Sequence, residues 1–301
     1  LVPQADPATW WRQGVPRQDD MDGEIELSAS HVGELLTCPR RWFMTRRAGA
    51  SSGSALRASI GSLVHRICAG NMDQWSLPEA LAELEAAWPE IELSAEWQRS
   101  AELADAKAAV QRFDGWLQLR NRQLIGTEVR VDGTITVPSG TARVRGSIDR
   151  LERDAEGAYY VVDLKTGTSQ SDEIKQSHRL QIGVYQAVVA SGGVEAIGPA
   201  SVSGAELVHL RIGAGIGQAN PKVDYQSGLV DVPWPDEAEP VDGCCNWVEA
   251  SVDKALRIVT SGEYPAIANR GCGHCPARAG CPALVPMDPA TVGSDRRRNV
   301  P

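Results

Sequence analysis

Three consecutive segments decide the fold: IGTEVRVDGTITV (125–137), SGTARVRGSIDRLE (139–152) and AYYVVDLKTG (158–167). The first segment alternates apolar and polar residues, as a half-buried strand does, and the second follows a turn at Ser139 and Gly140. The third is almost entirely apolar until Asp163, which indicates a central strand buried on both faces. The three segments therefore predict neighbouring strands of one sheet.

Helical patterns surround these strands. Helix-favouring periodicity, capping residues or composition mark LSASHVGELL (27–36), PRRWFMTRR (39–47), 55–74, 78–88, 94–124, 172–191 and 243–262. Two further strands are predicted at 204–213 and, from a weaker pattern, at 223–232. We expect an α/β fold with a small mixed β-sheet flanked by helices, a helical N-terminal portion and a C-terminal cysteine loop.

The chain is expected to have three parts. Residues 1–27 contain several prolines and little periodicity, so we predict a linker or the tail of an upstream region. Residues 28–285 form the folded domain, and residues 286–301 are expected to be a flexible C-terminal tail. The chain does not begin with Met, which favours a piece of a longer protein.

Composition excludes some classes of protein, but the total charge alone gives a misleading picture of the partner. The 301 residues are 42% hydrophobic and 23% charged, as in a soluble globular protein. No apolar run is long enough to span a membrane, and no secretory signal is visible. The net charge of −9 argues against a nucleic-acid partner. The charge is uneven, however, because residues 28–70 contain six arginines against one acid, Glu34.

The strongest chemical signal is a set of charged residues near the ends of two predicted strands. Asp163 and Lys165 are two residues apart and so share one strand face, and an antiparallel neighbour would bring Asp149 close to them. Two adjacent carboxylates favour a Mg²⁺ or Mn²⁺ ion between them, and a lysine beside that ion suits phosphodiester hydrolysis. The plainer interpretation is a strand-end ion pair, since Asp-x-Lys also occurs by chance.

The seven cysteines fall into two groups. Cys272, Cys275 and Cys281 have the spacing C-x2-C-x5-C, which suits a soft metal centre, and Cys38 lies alone far upstream. Cys68, Cys244 and Cys245 lack such neighbours and are expected to be small buried hydrophobic residues. An odd number of cysteines without a secretion signal makes a disulfide framework the poorer explanation.

Four motifs in order resemble the RecB-like branch of the PD-(D/E)xK nuclease superfamily, over about residues 27–282. They are GSLVH with His65, GSIDR with Asp149, DLKTG with Asp163 and Lys165, and LQIGVYQ with Gln181 and Tyr185. Each motif alone is weak, whereas the ordered set is specific. The resemblance implies a restriction-endonuclease-like core.

The resemblance also implies roles for these residues. His65, Asp149, Asp163 and the backbone carbonyl of Leu164 would bind the catalytic Mg²⁺ or Mn²⁺, and Lys165 would assist catalysis. Gln181 and Tyr185, which share one helix face, would contact DNA or orient Lys165. Glu128 corresponds to a frequent glutamate of the family with a role behind the metal ligands or at a second metal. Without the family, His65 would be an ordinary helix histidine and the Gln–Tyr pair a surface contact.

The resemblance further implies a [4Fe–4S] cluster held by Cys38, Cys272, Cys275 and Cys281, with a structural role. Zinc is the alternative, but zinc modules usually use two local pairs of ligands rather than one residue against three. His274 lies between two of the cysteines and is the less suitable ligand.

Within this branch, the chain is most similar to the C-terminal nuclease module of AddAB- and AdnAB-type helicase–nucleases of bacterial double-strand-break repair. This implies a cytoplasmic exonuclease, rather than an endonuclease, acting on single-stranded DNA or duplex ends, with an upstream helicase domain or partner subunit. No P-loop motif occurs in the chain itself. The alternatives are a non-catalytic DNA-binding or scaffold module and a zinc-stabilised phosphotransfer domain.

Arginines near Cys38 are the candidate DNA contacts. Arg40, Arg41, Arg46 and Arg47 would grip phosphates or line the entrance for the strand. A solvated helix face is the alternative explanation for these four charges.

Overall fold

The computed structural model describes residues 24–50, 55–70, 75–91, 96–167, 172–215, 219–235 and 239–284. The strands within these residues form one six-stranded sheet: β1 (Glu24–Leu27), β2 (Gln123–Val137), β3 (Gly140–Arg153), β4 (Tyr159–Lys165), β5 (Val202–Gly213) and β6 (Pro221–Ser227). The strand order is β1-β3-β4-β5-β6, and β2 pairs with β3.

The sheet is mixed, as the sequence predicted. β2 pairs antiparallel with β3, β3 with β4, and β5 with β6, whereas β1 runs parallel to β3 and β4 parallel to β5. Extending the β3–β4 register one step beyond the Arg150–Val162 pair places Asp149 opposite Asp163. The parallel β4–β5 register places Lys165 beside His209. The sheet thus gathers four polar side chains near one end of β4.

Helices cover both faces of the sheet. They are α1 (Ala29–Thr37), α2 (Pro39–Arg46), α3 (Ala55–Ala69), α4 (Leu77–Ala87), α5 (Arg99–Gln118), α6 (Asp172–Ala190) and α7 (Trp247–Ser261). Ser28 caps α1 by accepting a hydrogen bond from the His31 amide, and Asn246 caps α7 in the same manner. None of the described helices is long and apolar enough to cross a membrane.

The sheet separates two apolar cores. One face packs on α1, α6 and α7 through residues such as Val144 and Val188, and the other packs on α3, α4 and α5 through residues such as Val162 and Phe113. Side chains alternate along a strand, so Asp163 points to the same face as Val161, towards α6. The predicted α/β architecture with a restriction-endonuclease-like arrangement is confirmed.

Several boundaries differ from the sequence-based expectations, three of them with a cause visible in the fold. Residues 24–27, expected in the linker, form β1 and pair with residues 141–144 of β3. The predicted helix 94–124 ends at Gln118, because Arg120 pairs with the buried carboxylates of Glu152 and Glu206 and the chain then enters β2. The last strand is Pro221–Ser227 rather than 223–232, since a turn at 228–231 follows it. Residues 1–23 and 285–301 lie outside the described residues.

Candidate active site

Three possible metal ligands meet beside the sheet. The ligand atoms of His65 on α3, Glu128 on β2 and Asp149 on β3 all lie within 4.8 Å of one another. His65 Nε2 is 3.0 Å from Asp149 Oδ2, and His65 Nδ1 is 3.4 Å from Glu128 Oε1. The hydrogen bond with Asp149 and both negative charges raise the pKa of His65 despite its partial burial.

Glu128 enters this group through a distorted backbone. Its φ of 48° makes it the one non-glycine residue with positive φ in the described part of the chain. The flanking pairs of the β2–β3 ladder, Thr127–Arg150 and Val129–Ile148, place Glu128 opposite Asp149. The Ser147 hydroxyl, 2.9 Å away, donates to Glu128 Oε2. A strained residue of this kind costs about 1–3 kcal/mol and is typical of functional sites.

Asp149 is held by the neighbouring strand. The backbone amide of Leu164 donates to Asp149 Oδ2 over 2.7 Å, which fixes the carboxylate between β4 and His65. The Leu164 carbonyl, predicted as a metal ligand, belongs to the next peptide group along β4. The structure therefore brings the predicted Leu164 and Asp149 to the same strand end.

Asp163, Lys165 and Gln181 form a closed hydrogen-bonded set. Lys165 Nζ lies 2.8 Å from Asp163 Oδ2 and donates to Gln181 Oε1 over 2.8 Å, while Gln181 Nε2 donates to Asp163 Oδ1 over 3.1 Å. Asp163 is buried. Burial raises its pKa, and the charge of Asp149 acts in the same direction, whereas Lys165 opposes the shift. Asp163 thus pairs with Lys165 and stands outside the compact group of three ligands.

Tyr185 extends this set towards β3. Burial raises the pKa of Tyr185 to about 12, although the nearby Gln181 side chain and Ser147 backbone act to lower it. A Cβ atom at Gly146 would lie 3.0 Å from the Tyr185 hydroxyl, so the glycine leaves room for the ring. Tyr185 therefore lies beside Gln181, which in turn contacts Lys165.

Two histidines near Lys165 were not predicted from the sequence. His178 on α6 and His209 on β5 both lie close enough to Lys165 for its charge to lower their pKa values, with burial as the larger cause. The pKa of His178 falls to about 4, and His209 Nε2 lies 2.8 Å from Asp224 Oδ2. One signal was present in the sequence, because His178 is three residues before Gln181 and so shares its helix face.

The donor set fits a divalent cation. Carboxylate oxygens suit Mg²⁺ and Mn²⁺, and a neutral imidazole is a good ligand for Mn²⁺. His65, Glu128 and Asp149 supply these groups within one ion's reach, and Asp163 is near enough to influence both His65 and Tyr185 electrostatically. Glu128, expected behind the ligands or at a second metal, lies directly beside His65 and Asp149.

The four predicted cluster ligands lie around one cavity, apart from the His65 group. Cys38 joins α1 to α2, while Cys272, Cys275 and Cys281 come from the C-terminal loop, and all four line one cavity as free thiols. The Ile267 amide donates to Cys38 Sγ at 3.5 Å, and the Asn269 amide donates to Cys272 Sγ at 3.2 Å. His274 is exposed and is not among the cavity's lining residues.

The four arginines expected to bind DNA have separate surroundings. Arg46 pairs with Glu34 at 2.6 Å, and Arg47 stacks over the ring of Trp42 at 5.7 Å. Arg40 and Arg41 line the cysteine cavity. Their proposed contact with DNA stays a prediction.

Comparison with known proteins identifies the family. A solved structure titled "Crystal structure of SSO0001" is similar at 17% sequence identity and a TM-score of 0.41, over 88% of each chain. No curated protein sequence matches the chain significantly. A family model described as the PD-(D/E)XK nuclease superfamily matches residues 26–282. With its family model matched from β1 to the last cysteine, the chain belongs to the PD-(D/E)XK nuclease superfamily.

Proposed function

We propose that the protein is a Mg²⁺- or Mn²⁺-dependent deoxyribonuclease that cleaves single-stranded DNA, as an exonuclease rather than an endonuclease. The proposal rests on the proximity of the possible ligand atoms of His65, Glu128 and Asp149, which lie within 4.8 Å of one another. Asp163 and Lys165 form an ion pair beside them. A simple ion pair at a strand end would not explain both groups, because their residues come from several strands and a helix.

The cation would be held by His65, Glu128 and Asp149, with Asp163 and the Leu164 carbonyl as the remaining candidate ligands. A divalent ion supplies a water of lowered pKa and offsets charge on the scissile phosphate. The chain's own residues prepare this site. The Leu164 amide fixes Asp149, and Gln181 holds the Lys165 ammonium against Asp163. Lys165 is thereby placed to stabilise negative charge that develops on the phosphate.

The second proposed cofactor is a [4Fe–4S] cluster on Cys38, Cys272, Cys275 and Cys281. The support is chemical: four free cysteines line one cavity, and two backbone amides already donate to their sulfur atoms. Hydrogen bonds to sulfur are a usual feature of iron–sulfur sites. Such a cluster would connect the α1–α2 junction to the C-terminal loop.

The remaining parts of the proposal rest on the resemblance found in the sequence. The protein would act in a bacterial helicase–nuclease complex of double-strand-break repair, in the cytoplasm, with an upstream helicase domain or a partner subunit. The DNA strand would reach the site as a single strand or from a duplex end. Co-purification with an ATP-dependent helicase subunit would test this assignment.

DNA degradation by matched variants tests the catalytic proposal. We expect wild-type protein with Mg²⁺ or Mn²⁺ to degrade a labelled single-stranded oligonucleotide. Asp163→Asn and Lys165→Ala should each lower the rate by about 100-fold or more, because charge stabilisation in the transition state is lost. Lys254→Ala, which removes an exposed lysine on α7, is the control and should retain the wild-type rate. Binding of DNA without any cleavage would instead favour the scaffold alternative.

A further inference from the structure

Three arginines surround the cysteine cavity. Arg40, Arg41 and Arg278 lie among its lining residues, and the described residues that line it include no Asp or Glu. These three residues, which we call the arginine collar, come from both chain segments that supply the cysteines. Positive charge is therefore concentrated around the four thiols from two sides.

Two observations place the start of α2 beside the loop that contains the cysteines. Arg41 Nη1 lies only 3.1 Å from the place that a Cβ atom on Gly271 would occupy, directly before Cys272. The small residue at 271 thus lets the guanidinium lie against the cysteine loop. The Arg40 amide donates to the Pro265 carbonyl over 3.2 Å, which joins α2 to the segment containing Ile267.

The sequence interpretation assigned Arg40 and Arg41 to DNA, together with Arg46 and Arg47. The structure separates the two pairs, because Arg46 is engaged with Glu34 and Arg47 with Trp42. Only the first pair faces the cysteines, and Arg278 from the C-terminal loop joins it there. Arg40 and Arg41 therefore differ from Arg46 and Arg47 in lying beside the four thiols.

We infer that the arginine collar offsets the negative charge of the thiolate-bound cluster and thereby raises its reduction potential. The inference rests on the proposed iron–sulfur cluster. Four thiolates give an iron–sulfur cluster a net negative charge, which grows when it gains an electron. Nearby cations stabilise the reduced form more than the oxidised form, and net charge and hydrogen bonds to sulfur are established determinants of cluster potential.

Spectroelectrochemical titration of the anaerobically purified full chain tests the inference. We compare wild type, Arg41→Gln, Arg278→Gln, the charge-retaining Arg41→Lys, and Arg47→Gln as a control from the same end of α2. Binding of a fluorescent single-stranded oligonucleotide is measured on each variant in a Lys165→Ala background. The expected result is a more negative midpoint potential for Arg41→Gln and Arg278→Gln, with Arg41→Lys and Arg47→Gln close to wild type. DNA affinity of Arg278→Gln should match that of the background, since no contact with DNA is predicted for Arg278.

If Arg41→Gln loses the cluster altogether, Arg278→Gln decides: a more negative midpoint potential supports the inference, and an unchanged one overturns it. Unchanged potentials in both glutamine variants, or weakened DNA binding without a change in potential, would overturn it. Wild-type protein that lacks absorbance near ~400 nm and contains stoichiometric zinc would overturn the proposed cluster itself. The two failures are therefore distinguishable.

Discussion

Glu128 shows how a single residue connects conformation to chemistry. Its positive φ carries its carboxylate to within reach of His65 Nδ1, at the position opposite Asp149 on β3. This conformation destabilises an L-amino acid by roughly 1–2 kcal/mol, whereas glycine adopts it without that cost. The conformation at position 128 therefore brings a carboxylate to the candidate metal site and lowers the stability of the fold.

Substitutions at position 128 should separate these two effects. We expect Glu128→Gly to be more stable to urea than Glu128→Ala by about 1 kcal/mol, the reverse of the usual order in a strand. Both variants should bind Mn²⁺ more weakly than wild type, because each lacks the carboxylate. Gly133→Ala is unsuitable as a control because its site is crowded. Thr134→Gly and Thr134→Ala, also on β2, are the controls, and there the glycine variant should be the less stable of the two. A less stable Glu128→Gly than Glu128→Ala would contradict the strain at this position.

We expect Gln181 to act as a positioning residue, since it contacts Lys165 and Asp163 rather than His65, Glu128 or Asp149. Gln181→Ala should lower the single-turnover cleavage rate by about 10- to 100-fold while leaving Mn²⁺ affinity nearly unchanged. Gln176→Ala, an exposed glutamine on the same helix, is the matched control. Equal losses of rate in both variants, or loss of Mn²⁺ binding in Gln181→Ala, would remove this role.

Part of the candidate site could be predicted from the sequence because it depends on the alternation of side chains along a strand. The two-residue spacing of Asp163 and Lys165 and the hairpin before them are local features, and they place Asp149 correctly. That Glu128 lies among the candidate metal ligands could not be derived from the sequence, since it depends on one unusual φ angle. His209 reaches Lys165 only through the parallel pairing of β4 with β5, which no local pattern specifies.

At the scale of elements, α7 is connected to the β2–β3 turn by one buried carboxylate. Asp253 Oδ1 accepts hydrogen bonds from the Ser139 amide at 2.8 Å and from its hydroxyl at 2.6 Å, and Oδ2 lies 2.7 Å from Arg257. Although burial opposes it, the hydrogen bonds from Ser139 and the charge of Arg257 lower the pKa of Asp253. The folded state therefore favours the ionised carboxylate.

The contribution of Asp253 should depend on pH with a defined sign. Because folding lowers this pKa, the stabilisation is complete above the unfolded value of about 3.9 and is lost as the pH falls below it. Asp253→Asn should lower the free energy of unfolding by about 1 kcal/mol at pH 7, with a smaller difference near pH 3. Urea denaturation at both pH values measures this, with the exposed Asp242→Asn as control. A difference that grows on acidification would show the opposite linkage.

The elements themselves were largely predictable where apolar periodicity was strong, as in α3, β4 and α7. The failures have tertiary causes. β1 is four residues long and exists because it pairs with β3, so its local sequence carries little signal. The helix-favouring composition around 94–124 hides the end of α5, which is fixed by pairing of Arg120 with Glu152 and Glu206. Buried ion pairs between residues that are distant in sequence cannot be predicted until the fold is known.

For the molecule as a whole, the cysteine cavity connects the first helices to the last described loop. Between Gly262 and Leu284, the only regular element is the five-residue 3-10 helix Arg270–His274. The two apolar cores draw their buried residues from the sheet and helices up to Leu256. This loop therefore depends on the cysteine site for its position more than the sheet does.

Hydrogen exchange should reveal this division. In a Cys38→Ser variant, or after removal of the proposed cluster, we expect faster amide exchange in residues 265–284 and at the α1–α2 junction. Protection of β3 and β4 should be unchanged, because Tyr264 is the one residue between Gly262 and Leu284 that packs against their core, and it is only partly buried. Cys68→Ser, which alters a buried cysteine away from the cavity, controls for general loss of packing. Uniform loss of protection in Cys38→Ser would show that the site supports the entire fold.

The central claim is that His65, Glu128 and Asp149 bind the ion on which DNA cleavage depends. The most direct measurement is Mn²⁺ binding by electron paramagnetic resonance, on the samples whose cleavage rate is determined. We predict saturable Mn²⁺ binding by wild type and a cleavage rate that rises with the same saturation curve. Asp149→Asn should lose both together, and Lys165→Ala should retain binding while losing cleavage. Unchanged Mn²⁺ binding in Asp149→Asn, or DNA cleavage that persists after complete chelation of divalent ions, would contradict the account.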